Sequence, residues 1–204
     1  MGLYARLVLP RLLAAAMRQP NLVPFRASIG RAASGRVLEL GIGPALNLPF
    51  YGPDVTAVIG IDPSPQLLAM AEQKRGGQPF DVQLIEGSAE ALPLSSGSID
   101  TVVTTWTLCT VPSAPQVLAE ARRVLKPGGK LLFAEHGRAP GKVVARWQDR
   151  LDPVWTRIAG GCHTNRPIAD HIVDAGFRMD QLTTAYIAEP RVLTFMYSGF
   201  AMST

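Results

Sequence analysis

From residue 36 onward, short apolar runs alternate with longer amphipathic ones, and this most constrains what the chain can fold into. Arg36-Val-Leu-Glu-Leu-Gly41 is brief, β-rich and stopped by glycine, as a buried strand is. Val55–Asp62, Asp81–Glu86, Ile99–Thr105 and Lys130–Glu135 repeat the pattern. Helices fall between them. Ser64 is an N-cap and Pro65 a first-turn residue, where a missing N–H is harmless, and Leu67, Leu68, Met70 and Ala71 supply the inward face. Ser113 and Pro115 open another helix, in which Val117, Leu118, Ala121, Val124 and Leu125 recur at helical spacing before Lys126-Pro-Gly-Gly129 closes it. After helical stretches near 142–158 and 166–175, Phe177–Ile187 and Val192–Phe200 are β-rich and joined around Glu189-Pro190. So short a connection makes them antiparallel neighbours. The expected fold is α/β: a mostly parallel seven-stranded sheet with helices on both faces and an antiparallel C-terminal hairpin.

Charge narrows the function. Residues 1–36 hold Arg6, Arg11, Arg18, Arg26, Arg31 and Arg36 and no carboxylate, so the leader carries +6 while the whole chain carries +4. The body therefore offers no positive field for nucleic acid. With 47% hydrophobic and 18% charged residues the chain is not disordered. Two cysteines exclude a disulfide framework and a four-cysteine zinc site, and they suit a reducing, cytoplasmic setting. No apolar run approaches a membrane span. The leader is a poor secretory signal, because its longest uninterrupted apolar part, Leu12–Met17, is too short. Residues 1–35 read as a basic helical extension before a domain at 36–204. The extension either packs over that domain with its arginines in water or rests residues 1–20 peripherally on an anionic membrane. Arg11 and Arg18 fall on one edge, with Leu12, Leu13 and Met17 turned away from them, which either setting accepts.

Open α/β sheets bind ligands beyond the carboxyl ends of their strands, and the unusual residues gather there. Gly41 and Gly43 follow the first strand, where a backbone free of Cβ atoms can turn sharply against a ligand. Asp62 ends the second strand, where a carboxylate can accept hydrogen bonds from both ribose hydroxyls. Gly87-Ser-Ala-Glu-Ala-Leu-Pro93 follows the third, where a side chain and backbone amides can meet an adenine edge. Together these describe a pocket for an adenosine-bearing molecule. A dinucleotide oxidoreductase competes for the same pocket, but its G-x-G-x-x-G pattern meets Leu46 at the third position.

Over residues 36–136 the chain resembles a class I S-adenosylmethionine-dependent methyltransferase with a Rossmann-like fold. The resemblance rests on Val37-Leu-Glu-Leu-Gly-Ile-Gly43, Ile61-Asp-Pro-Ser64, Glu86-Gly-Ser-Ala-Glu-Ala-Leu-Pro93, Ser98-Ile-Asp100 and Arg123-Val-Leu-Lys-Pro-Gly-Gly129. It implies S-adenosylmethionine as cofactor. By the same resemblance the Gly41–Gly43 loop passes under the methionine, Glu39 orients that loop, and Asp62 with Pro63 holds the ribose. Ser88 and Ala89 would sit at the adenine, and Thr105 and Trp106 at the pocket mouth beside the sulfonium. Two positions depart from the pattern. Ala45 stands where a third glycine is common, tolerable if its φ is negative, and Ser88 where an aspartate is common, at some cost in charge-assisted affinity.

The methyl acceptor is constrained less. An oxygen or protonated amine needs a base, whereas a thiol, with a pKa of about 8.5, needs little help. His136, at the end of the fifth strand, is the candidate general base, because its pKa lies near neutrality; the alternative is that it only braces the loop. Trp147-Gln-Asp-Arg-Leu-Asp-Pro-Val-Trp155, Gly161-Cys-His163-Thr-Asn-Arg166 and Ala175-Gly-Phe177 resemble the methyltransferase branch that includes membrane-associated alkyl thiol S-methyltransferases. Thr107-Leu-Cys-Thr-Val111 and Glu135-His136 fit the same branch. This implies that residues 138–166 form a lid over a small apolar acceptor, a thiol before a lipid amine or a phenolic or quinone metabolite, with His163 at its pocket. Trp147 and Trp155, eight apart and roughly on one face of a helix, either wall that pocket or are only core. The branch's membrane members carry a long N-terminal anchor, while this chain has only Leu3–Met17, broken by Pro10 and arginines. A non-catalytic cofactor-binding subunit is the reading outside the enzyme class. No metal is expected: Cys162-His163 and His171 match no common ligand spacing and have no second cysteine nearby, and Cys109 reads as an inert buried thiol.

Overall fold

The computed structural model describes residues 9–203; Arg6 and the first part of the Leu3–Met17 run lie outside the described residues. The helices are α1 (Leu9–Ala16), α2 (Val23–Ala32), α3 (Pro65–Arg75), α4 (Ala114–Val124), α5 (Lys142–Ile158) and α6 (Ile168–Asp174). The strands are β1 (Gly35–Leu40), β2 (Val55–Asp62), β3 (Asp81–Glu86), β4 (Ile99–Thr105), β5 (Leu125–His136), β6 (Phe177–Tyr186) and β7 (Phe195–Ser203). They form one sheet in the order β3-β2-β1-β4-β5-β7-β6. The first five strands pair in parallel, and β7 runs antiparallel to both β5 and β6. Order reverses between β1 and β4, so the crevice of the sheet opens beyond Leu40 and Thr105.

Strand periodicity divides the core. On β1, Leu38 and Leu40 face a cluster built with Val117, Leu118 and Ala121 of α4 and Ile168 and Ile172 of α6. Val37 faces the other cluster, with Leu22, Ile29 and Ala33 from the N-terminal segment. Fully burying side chains such as Val117 and Leu118 is worth roughly 2 kcal/mol each. The hydroxyls of Ser64 and Ser113 accept the amides of Leu67 and Gln116 at 3.3 Å, so both are the N-caps their positions predict. In α3 only Ala71 is fully buried, with Leu67, Leu68 and Met70 half-buried.

Two boundaries differ from the sequence reading. β5 begins at Leu125, directly after α4, because Leu125 pairs with Ile99 before Lys130 pairs with Thr101. Lys126–Gly129 is thus a loop-out within the strand rather than a helix stop, and Lys126 Nζ donates to Asp100 Oδ1 at 2.6 Å across it. Val192 does not start the last strand: Arg191–Leu193 is a 3₁₀ turn, closed where Thr194 Oγ1 donates to the Ala188 carbonyl at 2.6 Å. No helix among the described residues is long and apolar enough to cross a membrane.

Candidate active site

At the end of β1 the chain turns through Gly41 (φ 66°) and Gly43 (φ 53°). Both Gly41 and Ile42 donate their amides to the Ile61 carbonyl of β2, at 2.8 and 3.1 Å. A Cβ on Gly41 would lie 2.5 Å from Thr107 Oγ1, so the turn after β1 and the segment after β4 are in contact because this residue has no side chain. Gly43 is the opposite case. It is buried, yet a Cβ built on it would meet only the Gly41 carbonyl oxygen, at 3.9 Å. That space is a cradle beside the turn.

Ala45 completes the turn with φ 54°, which corrects the expectation of a negative angle. The chain keeps the left-handed conformation that a glycine would adopt freely and bears the Cβ strain, about 1–2 kcal/mol. Trp106, next to the β4 terminus, is also left-handed at φ 55°. Its indole packs edge-on against Phe25 of α2, its ring lies under the Arg26 guanidinium at 4.9 Å, and its buried Nε1 has no hydrogen-bond partner.

Asp62 joins two of these pieces. Its Oδ2 accepts the Gly43 amide at 2.9 Å and its Oδ1 the Ser64 amide at 2.8 Å. Burial pushes the carboxyl above its ordinary range, and those two amide bonds oppose the shift. Pro63 beside it is exposed. After β3, Ser88 is exposed and Ala89 buried. Ser88 Oγ accepts the Glu90 amide at 3.1 Å, Glu90 Oε1 accepts the Ser113 amide at 2.7 Å, and Glu120 Oε2 accepts the Leu92 amide at 2.8 Å. The loop is therefore held to α4 by two carboxylates whose roles the linear pattern did not reveal.

Glu39 sits under the turn in a buried network. It accepts Asn47 Nδ2 at 2.8 Å and the Tyr51 hydroxyl at 2.7 Å, while Asn47 Nδ2 also donates to Thr105 Oγ1 at 3.0 Å. Arg26 Nη1 donates to Asn47 Oδ1 at 2.7 Å and Nη2 to the Met17 carbonyl at 3.1 Å. With only 6% of its surface exposed, Arg26 departs from the expectation that the leader's arginines stay in water, which Arg11, Arg18, Arg31 and Arg36 meet. Alternation along β1 turns Glu39 toward α2, so the helix that covers this face has to supply the compensating cation. Burial nevertheless raises the Glu39 carboxyl to about 7, against the Tyr51 and Asn47 hydrogen bonds and the Arg26 charge.

The far side of the crevice is built from β4, β5 and the segment after α5. Glu135 is fully buried and accepts Thr104 Oγ1 at 2.6 Å and the amides of Thr107 at 3.0 Å and Cys109 at 3.2 Å. Thr107 Oγ1 in turn donates to the Leu40 carbonyl at 2.8 Å. His136 is half-buried, with Nδ1 3.7 Å from Cys162 Sγ, and Cys162 Sγ is 3.7 Å from Cys109 Sγ. Cys109 is therefore the second cysteine that spacing placed out of reach of Cys162. Its thiol is pushed up by the contact with Cys162 and by burial, and the same contact holds the Cys162 thiol below its usual range.

Residues 138–166 cross this region as α5 and its flanks. Trp155 is half-buried, its Nε1 enclosed without a regular partner. Trp147 is 49% exposed beneath Arg150, in an outward stripe with Val143, Leu151, Val154 and Ile158. The two tryptophans thus differ in exposure, Trp147 standing out and Trp155 partly covered. His163 Nδ1 is 2.8 Å from Asp152 Oδ2, and its amide donates to the Cys109 carbonyl at 2.7 Å. A cavity lined by Ala33, Ser34, Asp54, Lys130 and Leu132 opens at the amino ends of the strands, away from all of these residues.

The reversal in strand order, the glycine turn bound to Asp62 and the antiparallel β7 give a Rossmann-like sheet, and the family match and relatives that follow show that the chain belongs to the class I S-adenosylmethionine-dependent methyltransferases. Residues 38–133 match the methyltransferase domain family. The chain is 38% identical over 152 residues to the thiol S-methyltransferase TMT1B of Rattus norvegicus, covering 72% of this chain and 61% of that protein. It is 36% identical over 130 residues to the phosphatidylethanolamine N-methyltransferase of Cereibacter sphaeroides, covering 59% of this chain and 63% of that one. It thus spans about three-fifths of the length of the curated relatives it matches. A SAM-dependent methyltransferase of Methanosarcina mazei shares the fold, with a TM-score of 0.67 over 90% of this chain and 97% of that one at 19% identity.

The residues present fit the cofactor of this class. The open space beside Gly43 admits a ligand against the backbone, and Asp62, fixed by two amides, keeps lone pairs for hydroxyl donors.

Proposed function

We propose that the chain transfers a methyl group from S-adenosylmethionine to a small apolar acceptor, with a thiol favoured. The observation that carries this reading is the bond between Asp62 and Gly43, which ties a ribose-binding carboxylate to a ligand-admitting turn. The likeness to thiol S-methyltransferases supports the choice of acceptor.

When bound, the cofactor supplies an electrophilic methyl on a sulfonium. The chain's part is to hold, align and exclude water. Asp62 takes the ribose hydroxyls, Gly41 and Gly43 let the backbone pass under the methionine, and Glu39 holds that turn through Asn47 and Tyr51. Ala89, buried beside Ser88, lines the adenine position, and Thr105 and Trp106 stand at the mouth. Trp155 and His163 line the acceptor side, with Trp147 at its outer edge. A thiol ionises readily enough that this reading asks little of a general base. His136 takes that task for a hydroxyl acceptor.

A donor bearing a deuterated methyl, incubated with panels of thiols, amines including phosphatidylethanolamine, and quinols, tests the reading by mass spectrometry. Label on alkyl thiols is expected. Label confined to the lipid amine or to quinols overturns the choice of acceptor, and no transfer to any class leaves a cofactor-binding subunit instead.

A further inference from the structure

Cys109, His136 and Cys162 come from three separate segments, the turn after β4, the end of β5 and the loop after α5, yet their ligand atoms all lie within 4.8 Å of one another. Both sulfur–sulfur and sulfur–nitrogen separations that involve Cys162 are 3.7 Å. A tetrahedral zinc ion with Zn–S of about 2.3 Å and Zn–N of about 2.0 Å places two sulfurs about 3.8 Å apart and a sulfur and nitrogen about 3.5 Å apart. The two pairs that involve Cys162 already stand near that spacing, and Cys109 and His136 lie within 4.8 Å of each other.

Their backbones are also stitched together. The Cys109 carbonyl accepts the His163 amide at 2.7 Å, binding the Cys109 turn to the loop that carries Cys162. Glu135, next to His136, accepts the Cys109 amide at 3.2 Å. Such cross-links hold ligands in place before a metal arrives. Two thiolates and one imidazole would neutralise a divalent cation, so a half-buried complex leaves no uncompensated charge. Among the described residues no fourth histidine, cysteine or carboxylate joins the group.

We propose that Cys109, His136 and Cys162 form a binding site for a thiophilic divalent cation of the zinc class, with one coordination position left open and His136 serving as a ligand in place of its role as base for a hydroxyl acceptor. Three protein ligands and an open position are the pattern of a reactive rather than a structural zinc site. The site lies beside the crevice, because Thr107, two residues before Cys109, contacts the Gly41 turn. A further step rests on the acceptor reading above: the open position receives the acceptor thiol. Its S–H proton passes to solvent and the sulfur stays on the metal as a thiolate. A sulfur lone pair then forms the new C–S bond as the methyl–sulfonium bond breaks, with its pair returning to the donor sulfur.

The test uses the full chain, tag-free, reduced, stripped with a chelator and titrated with Co²⁺. The expected result is one ion per chain, with sulfur-to-metal charge-transfer absorption and the intense visible bands of tetrahedral cobalt, displaced by Zn²⁺. Cys162→Ser and His136→Asn should each weaken binding at least about 100-fold, while their melting curves report on the fold. A short alkyl thiol should shift the charge-transfer band, and an alkyl amine should not. No sulfur–cobalt band, or undiminished binding in both variants, overturns the site. So does an anaerobically purified chain lighter by two hydrogens, because the cysteines would then be a disulfide. A band indifferent to thiols overturns only the acceptor's place on the metal, and transfer of label to thiols is read independently of it.

Discussion

The Asp62 carboxylate accepts the Gly43 amide at 2.9 Å, so the residue proposed to hold the ribose also holds the turn proposed to pass under the methionine. Asp62→Ala removes both functions. It should lower affinity for S-adenosylmethionine by about 2 kcal/mol or more, close to thirty-fold, in titration calorimetry. Asp62→Asn keeps one acceptor oxygen and should fall between. Unchanged binding in the alanine variant would contradict the assignment.

Ala45 carries a positive φ in a fully buried turn. Ala45→Gly should relieve the Cβ strain and stabilise the chain by about 1 kcal/mol, after allowing for glycine's greater freedom when unfolded. For a chain of this length that is a rise in melting temperature of roughly 2–4 °C, readable by calorimetry. A fall would mean that the Ala45 methyl packs more favourably than it strains.

Glu39 links stability to pH. Its carboxyl is raised to about 7 in the folded chain by burial, with Arg26, Tyr51, Asn47 and Asp62 as its polar and charged surroundings. A raised carboxyl binds its proton more tightly folded than unfolded. Its contribution is therefore complete below the unfolded pKa, near 4.5, and is lost as pH rises through about 7. The loss is roughly 3 kcal/mol. Urea unfolding across that window should show the decline in the native chain and a flatter profile in Glu39→Gln.

Arg26 is the buried cation of the same network. Arg26→Leu strips Asn47 Oδ1 and the Met17 carbonyl of their donor and should cost about 2–3 kcal/mol. It also removes a charge that favours ionised Glu39, so the upper limit of the pH decline should move to higher pH and the loss across it should grow. A variant as stable as the native chain would show that the N-terminal segment contributes packing alone.

Much of the frame was readable from order along the chain. Val55–Asp62, Asp81–Glu86 and Ile99–Thr105 have the bounds their apolar runs predict, and Ser64 and Ser113 cap the helices they precede. These features depend on neighbours a few residues away: side-chain alternation, a hydroxyl near an amide, a proline in a first turn. Gly41, Gly43 and Asp62 could be singled out for the same reason, since strand ends mark where a ligand crevice must open.

Other features had no local signal. The sign of φ at Ala45 follows from how the turn is tied to Ile42 and β2. Lys126–Gly129 breaks a helix by composition, but pairing of Leu125 with Ile99 draws it into a strand. Arg26 lies 21 residues from Asn47, and Cys109 lies 53 from Cys162. Sequence by itself determined the elements and the strand ends that border the crevice, because both are set by short-range geometry. Tertiary structure alone decided which charge neutralises Glu39 and which side chains meet across the crevice, because those contacts exist only once the sheet has brought distant segments to the same edge.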